Sequence, residues 1–135
     1  MNYTELKELR ASAILTGSYV AATVWGPQGG STANDPVENS KFVLLIGFTK
    51  GDLDSVELIV EFSDDGSTYY QETNASAPSS GEQTLSLNNY KLDTTGNYVL
   101  EFDITTRYIK VSVKGTGTLT NSLISLHSVL AVRPT

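Results

Sequence analysis

Residues 56–72 read Val56-Glu57-Leu58-Ile59-Val60-Glu61-Phe62-Ser63-Asp64-Asp65-Gly66-Ser67-Thr68-Tyr69-Tyr70-Gln71-Glu72, and this stretch decides the fold class. Its first half alternates. In an extended chain Val56, Leu58, Val60 and Phe62 share one side, while Glu57, Ile59 and Glu61 share the other. A period of two is the mark of a half-buried strand. Ser63 to Ser67 then supplies turn chemistry, because Ser and Asp side chains bond nearby backbone and Gly66 accepts a positive φ. Tyr69 to Glu72 is expected to return antiparallel, closing a hairpin.

Upstream, Phe42 to Phe48 is a dense apolar run, expected to be a central strand buried on both faces. Ala13–Leu15 and Tyr19–Trp25 are expected strands around the turn Thr16-Gly17-Ser18. Gly26 to Ser40, rich in Gly, Pro, Asn, Ser and Thr, reads as a long loop of the kind that often carries function. Tyr3 to Arg10 has Leu6 and Leu9 spaced for one helical turn, with Thr4 as a cap. It is too short to be stable alone. Residues 1–11 are therefore expected to form an arm that lies on this subunit or reaches a neighbour.

Downstream, Thr84–Leu87 is a short strand, and Tyr98, Leu100, Phe102 and Ile104 alternate again. Tyr108 to Lys114 places Ile109, Val111 and Val113 on one side and Lys110, Ser112 and Lys114 on the other. Ser122 to Val132 is the final strand, closed by Pro134. About eight short strands separated by turns, with no βαβ alternation or repeat, predict an all-β domain over residues 12–135. Two antiparallel sheets packed face to face, a β-sandwich, is the expected architecture.

The 135 residues contain no cysteine, which removes disulfides, thiolate metal sites and cysteine nucleophiles. Nine Lys plus Arg against fifteen Asp plus Glu leave a net charge of −6. The basic residues are scattered, so the patch that captures nucleic acid is missing. No stretch approaches the roughly 20 apolar residues that span a bilayer, and the polar N-terminus lacks the apolar core of a signal peptide. Neither nucleic acid nor membrane is an expected partner.

Catalytic constellations are sparse. His127 is the only histidine, and no Gly-x-Ser-x-Gly elbow accompanies it. Glu57 and Glu61 share a strand face but stand roughly 13 Å apart along it, beyond the spacing of glycosidase carboxylates. Glu101 and Asp103 also share a face, which reads as solvated strand surface. Asp52, Asp54, Asp64 and Asp65 are weak calcium candidates, because acidic loops of β-sandwiches often supply hard oxygens. Asp-Asp-Gly is equally ordinary turn chemistry. No phosphate loop is present, no cofactor is expected, and the chain reads as non-enzymatic.

Val60 to Tyr70 resembles the hairpin of discoidin-like (galactose-binding-like) carbohydrate or lipid modules. Arg107-Tyr108-Ile109-Lys110-Val111 is similar to a later strand of those modules. The same hairpin, with Gly115-Thr116-Gly117-Thr118, also resembles small jelly-roll proteins of tailed-bacteriophage virions and prophages. The resemblance implies a sandwich of jelly-roll type. It also implies a virion structural protein, a capsid decoration (cement) subunit bridging major capsid or other virion proteins. Such a subunit would assemble in the host cytoplasm as a homo-oligomer, with a trimer favoured. Its expected contacts are Tyr3, Leu6 and Leu9 in the arm and Trp25, Gln28 and Asn34 at the long loop, Trp25 alternatively closing the core. A carbohydrate-binding, host-attachment module is the competing expectation, with Tyr69 or Tyr70 as stacking platform.

Overall fold

The computed structural model describes residues 2–3, 6–26, 41–75, 81–104 and 106–132. Those residues are all-β, and every pairing is antiparallel. Sheet A contains β1 (Asn2–Tyr3), β2 (Lys7–Ala13), β4 (Lys41–Thr49), β10 (Gly96–Asp103) and β12 (Leu123–Val132). Its order runs from β1 and β2, both on β12, through β12 and β4 to β10. Sheet B contains β3 (Val20–Ala21), β5 (Leu53–Ser63), β6 (Tyr70–Gln71), β9 (Tyr90–Leu92) and β11 (Tyr108–Gly117). Its order is β3, β11, β5, with β6 and β9 both on the far side of β5. A small ribbon pairs β7 (Thr73–Ala75) with β8 (Leu85–Leu87).

The alternation in the sequence sets which side of each strand is dry. Val56, Leu58 and Val60 of β5 and Ile109, Val111 and Val113 of β11 are buried from sheet B. Phe42, Leu44, Ile46 and Phe48 of β4 meet them from sheet A, joined by Ile124 and Leu126 of β12. The two sheets thus share one core in a sandwich-like arrangement. Burying each such side chain contributes about 1.5–3 kcal/mol. At one end, Phe102 packs edge-on to Phe62 and Tyr90 at 6.1 Å, and Phe42 joins Phe102 to Trp25.

Three expectations change. β4 is central but buried on one face only: Val43 is half-buried and Leu45 is 36% exposed, since sheet B covers just the inner side. Lys7–Ala13 is a strand on β12, not a helical turn, and Leu9 belongs to the core. One turn of helix cannot pay its nucleation cost, whereas the edge of β12 offers ready hydrogen bonds. From Lys7 onward the residues of the expected arm lie against β12 of the same chain. Of Tyr19–Trp25 only Val20–Ala21 is a regular strand, although Ala22 and Trp25 still donate to carbonyls of Val111 and Ile109.

The β5–β6 hairpin has the chemistry its sequence implies. Asp65 Oδ1 accepts from the backbone N–H of Ser67 and Thr68 and from Ser63 Oγ, while Ser63 Oγ accepts from Gly66 N–H. The Thr68 and Ser67 bonds, then Ser63, hold the Asp65 carboxyl below its ordinary range. Gly66 sits at φ +77°, where a Cβ would be strained.

Beyond the hairpin, Glu72 anchors the β7–β8 ribbon. Its carboxylate accepts from Tyr90 Oη–H and from Asn88 Nδ2 at 2.7 Å. Burial, then the hydrogen bond to Glu72, pushes the Tyr90 phenol well above its ordinary value.

Phe102→Ala removes three ring contacts at once and should lower the unfolding free energy in urea by about 3–5 kcal/mol. A loss below about 1 kcal/mol would show that this end of the core is not packed as described. The raised Tyr90 value carries a pH dependence. The folded state holds the phenol proton more tightly than the unfolded chain, so this stabilisation is complete below about pH 10 and disappears as pH rises through the folded value. Urea melts on the alkaline side should show stability falling, and Tyr90→Phe should flatten that fall.

Candidate functional site

The two sheets treat their outer faces differently. On sheet B, β5 presents Glu57, Ile59 and Glu61, and β11 places Lys114, Ser112 and Lys110 directly opposite. Lys110 Nζ lies 3.8 Å from Glu61, and Lys114 Nζ lies 3.7 Å from Glu57. Two tyrosines close the ladder. The Tyr69 ring lies 4.1 Å from Lys110 Nζ, and the Tyr19 ring lies 5.0 Å from Lys114 Nζ. Tyr19 also donates its hydroxyl to Glu57 Oε2 at 3.0 Å. Burial foremost, with Glu57 beside it, raises the Tyr19 phenol; burial, with Tyr108, Asp65 and Glu61 nearby, raises Tyr69. Each surface ion pair contributes only about 0–1 kcal/mol. These cations and anions are nonetheless already matched to one another.

Sheet A has no such ladder at its centre. Register sets Glu8, His127, Leu45 and Val99 side by side in one row across β2, β12, β4 and β10. The next row is Ser125, Gly47 and Asn97, and the row on the other side is Val129, Val43 and Glu101. At Gly47 a Cβ would come within 2.8 Å of Ser125 Oγ, so the bare backbone forms a floor. The result is an open dish of about 420 Å³ lined by Leu45, Gly47, Asn97, Val99, Ser125 and His127. Val99 is 56% exposed and Leu123 is exposed nearby. Among the described residues, charges stand only at the margins: Glu8 lies 3.7 Å from His127 Nε2, and Glu101 lies 4.0 Å from Lys41 Nζ.

The contact residues expected from sequence scatter. Leu9 and Trp25 are buried in the protein's own core, so neither is available to a neighbour. Trp25 packs edge-on to Phe42 at 5.3 Å, the closing role that was its alternative. Leu6 is 59% exposed just ahead of β2, and Tyr3 pairs its backbone with Ala131. Gln28 and Asn34 lie outside the described residues. Tyr69 is half-buried against Lys110, whereas Tyr70 is 68% exposed on the edge strand β6.

The acidic candidates do not converge. Asp52 Oδ2 accepts from Asn121 Nδ2 at 2.7 Å, and Asp54 sits beside Gly117. Asp64 and Asp65 lie at the other end of β5, roughly 33 Å along an extended strand, too far to share an ion with Asp52 or Asp54. Among the described residues no group of three or more His, Cys, Asp or Glu gathers to hold a metal.

The dish itself was missed in the sequence. Its signal was present in Phe42-Val43-Leu44-Leu45-Ile46-Gly47-Phe48, where the even positions are uniformly bulky and a glycine interrupts the odd ones. The chain matches no protein-family model, no curated protein and no solved structure.

Proposed function

We propose that the protein is a non-enzymatic structural subunit of a virion, of the capsid decoration (cement) type. It bridges neighbouring capsid proteins by laying the outer face of sheet A on them. The observation that carries this reading is the contrast between the faces: sheet B neutralises its own charges, while sheet A leaves the apolar row of Leu45 and Val99 open to water. A contiguous exposed apolar patch with a polar margin fits a protein contact. A wide, shallow dish suits a flat partner better than a small ligand, which is ordinarily enclosed on most sides.

What supports the jelly-roll reading is the strand order. The sequence β2-β12-β4-β10 in one sheet and β3-β11-β5-β6 in the other pairs early strands with late ones, as two interleaved Greek keys require. Viral capsid and lectin domains both use that architecture, and a fold alone does not choose between them. The exposed Tyr70, beside the Asp65 hairpin, favours the second reading, a carbohydrate-binding attachment module.

Co-sedimentation with expanded heads of the phage or prophage encoding the chain separates the two. The wild type should sediment with heads. Leu45→Glu should weaken that binding at least about thirtyfold, the effect of losing a central hot spot. Lys110→Ala, on the closed face, should leave it unchanged. No binding by the wild type, or equal binding by Leu45→Glu, contradicts the decoration reading. Sugar binding on a glycan array that Tyr70→Ala abolishes and Leu45→Glu spares would establish the attachment module instead.

A further inference from the structure

A sheet edge displays a row of unpaired N–H and C=O groups, and proteins blunt such edges with shortness, bulges or charge. Sheet B follows this rule. Its outlying strands β3, β6 and β9 have two, two and three residues. Sheet A follows it on one side, where β1 has two residues. On that same side β2 is broken by two register shifts against β12 and carries Lys7 and Arg10. The Arg10 guanidinium folds back there, donating to the carbonyl of Ile14 at 3.1 Å.

β10 carries charge, in Glu101 and Asp103, but has neither the shortness nor the bulges. It runs eight residues, pairs with β4 in unbroken register from Gly96 to Asp103, and has no strand on its other edge among the described residues. Its outer side chains are Asn97, Val99, Glu101 and Asp103, with Val99 the apolar one and well exposed.

We propose that this edge joins two copies of the chain, β10 against β10 antiparallel across a two-fold axis at Val99. Paired residues in an antiparallel ladder must share a face, so the axis passes through a residue rather than between two. Charge then selects which one. Centring on Val99 sets Val99 against Val99 of the second copy and Asn97 against Glu101, with no like charges opposed. Centring on Leu100 sets Val99 against Glu101 and brings the two Glu101 side chains into diagonal contact. Centring on Glu101 opposes like carboxylates directly.

The Val99 register satisfies the free backbone row and makes the two sheets A continuous. It also runs the row His127, Leu45 and Val99 through the axis into its symmetry copy. An edge that pairs with itself closes at two subunits, in place of the trimer that the virion resemblance suggested. The dimer does not depend on capsid attachment: a two-fold dimer that binds no head leaves it standing and overturns only the decoration reading.

Native mass spectrometry and sedimentation equilibrium test it on the full chain. The wild type should be a dimer. Val99→Lys and Val99→Glu should each be monomeric, with dissociation constants raised at least about tenfold, because each new charge faces its own copy across the axis. Circular dichroism melts should show both variants folded, since Val99 is a solvent-facing side chain. Mixing the two, one of them nitrogen-15 labelled, should restore a dimer of mixed mass. A monomeric or trimeric wild type overturns the proposal, as does a mixture that stays monomeric. A Val99→Lys homodimer tighter than the wild type would overturn the register, since it places residue 99 opposite Glu101.

Discussion

Everything in this molecule follows from the burial of alternate residues between two sheets. Phe42, Leu44, Ile46 and Phe48 press against the side that Val56, Leu58 and Val60 present from the other sheet. A one-residue slip of β4 would replace that set with Val43, Leu45 and Gly47, emptying the core of both phenylalanines. Register is therefore held by the core rather than by the loops. Once the inner residues are fixed, the outer ones have no freedom either.

That constraint leaves each sheet with an outer face to reconcile with water, and the two solve it differently. β5 and β11 carry opposite charges at matching positions, so register brings each lysine to a glutamate, and Tyr19 and Tyr69 lie across the pairs. β4, β10 and β12 carry valine, leucine, serine, glycine and histidine at their outer positions, with charge kept to the margin. The face left apolar at its centre lies next to a long edge that no other strand covers among the described residues.

Much of the fold was legible because alternation is a local property. The β5 strand, its Asp-Gly turn, and the inward sets of β10 and β11 can all be read from a few consecutive residues, and the structure has them where the pattern puts them. What was not legible depends on distant partners. Leu6 and Leu9 are spaced as on a helical turn, yet Lys7–Ala13 is a strand, paired with the last strand of the chain. The run from Phe42 to Phe48 is apolar throughout, so only the glycine at an odd position hints that one face stays uncovered. The dish needs Gly47, Ser125 and Asn97 from three strands, brought together by pairings that no local motif encodes. The two acidic pairs stand apart for the converse reason: they sit at opposite ends of the eleven-residue strand β5.

The claim that the free side of sheet A is where this protein meets others is tested most directly by amide hydrogen exchange at low and at high protein concentration. Added protection at high concentration should be confined to peptides covering β10, with β6 and β9 on sheet B unchanged. Protection gained at the edges of sheet B, or none gained anywhere, would contradict the account.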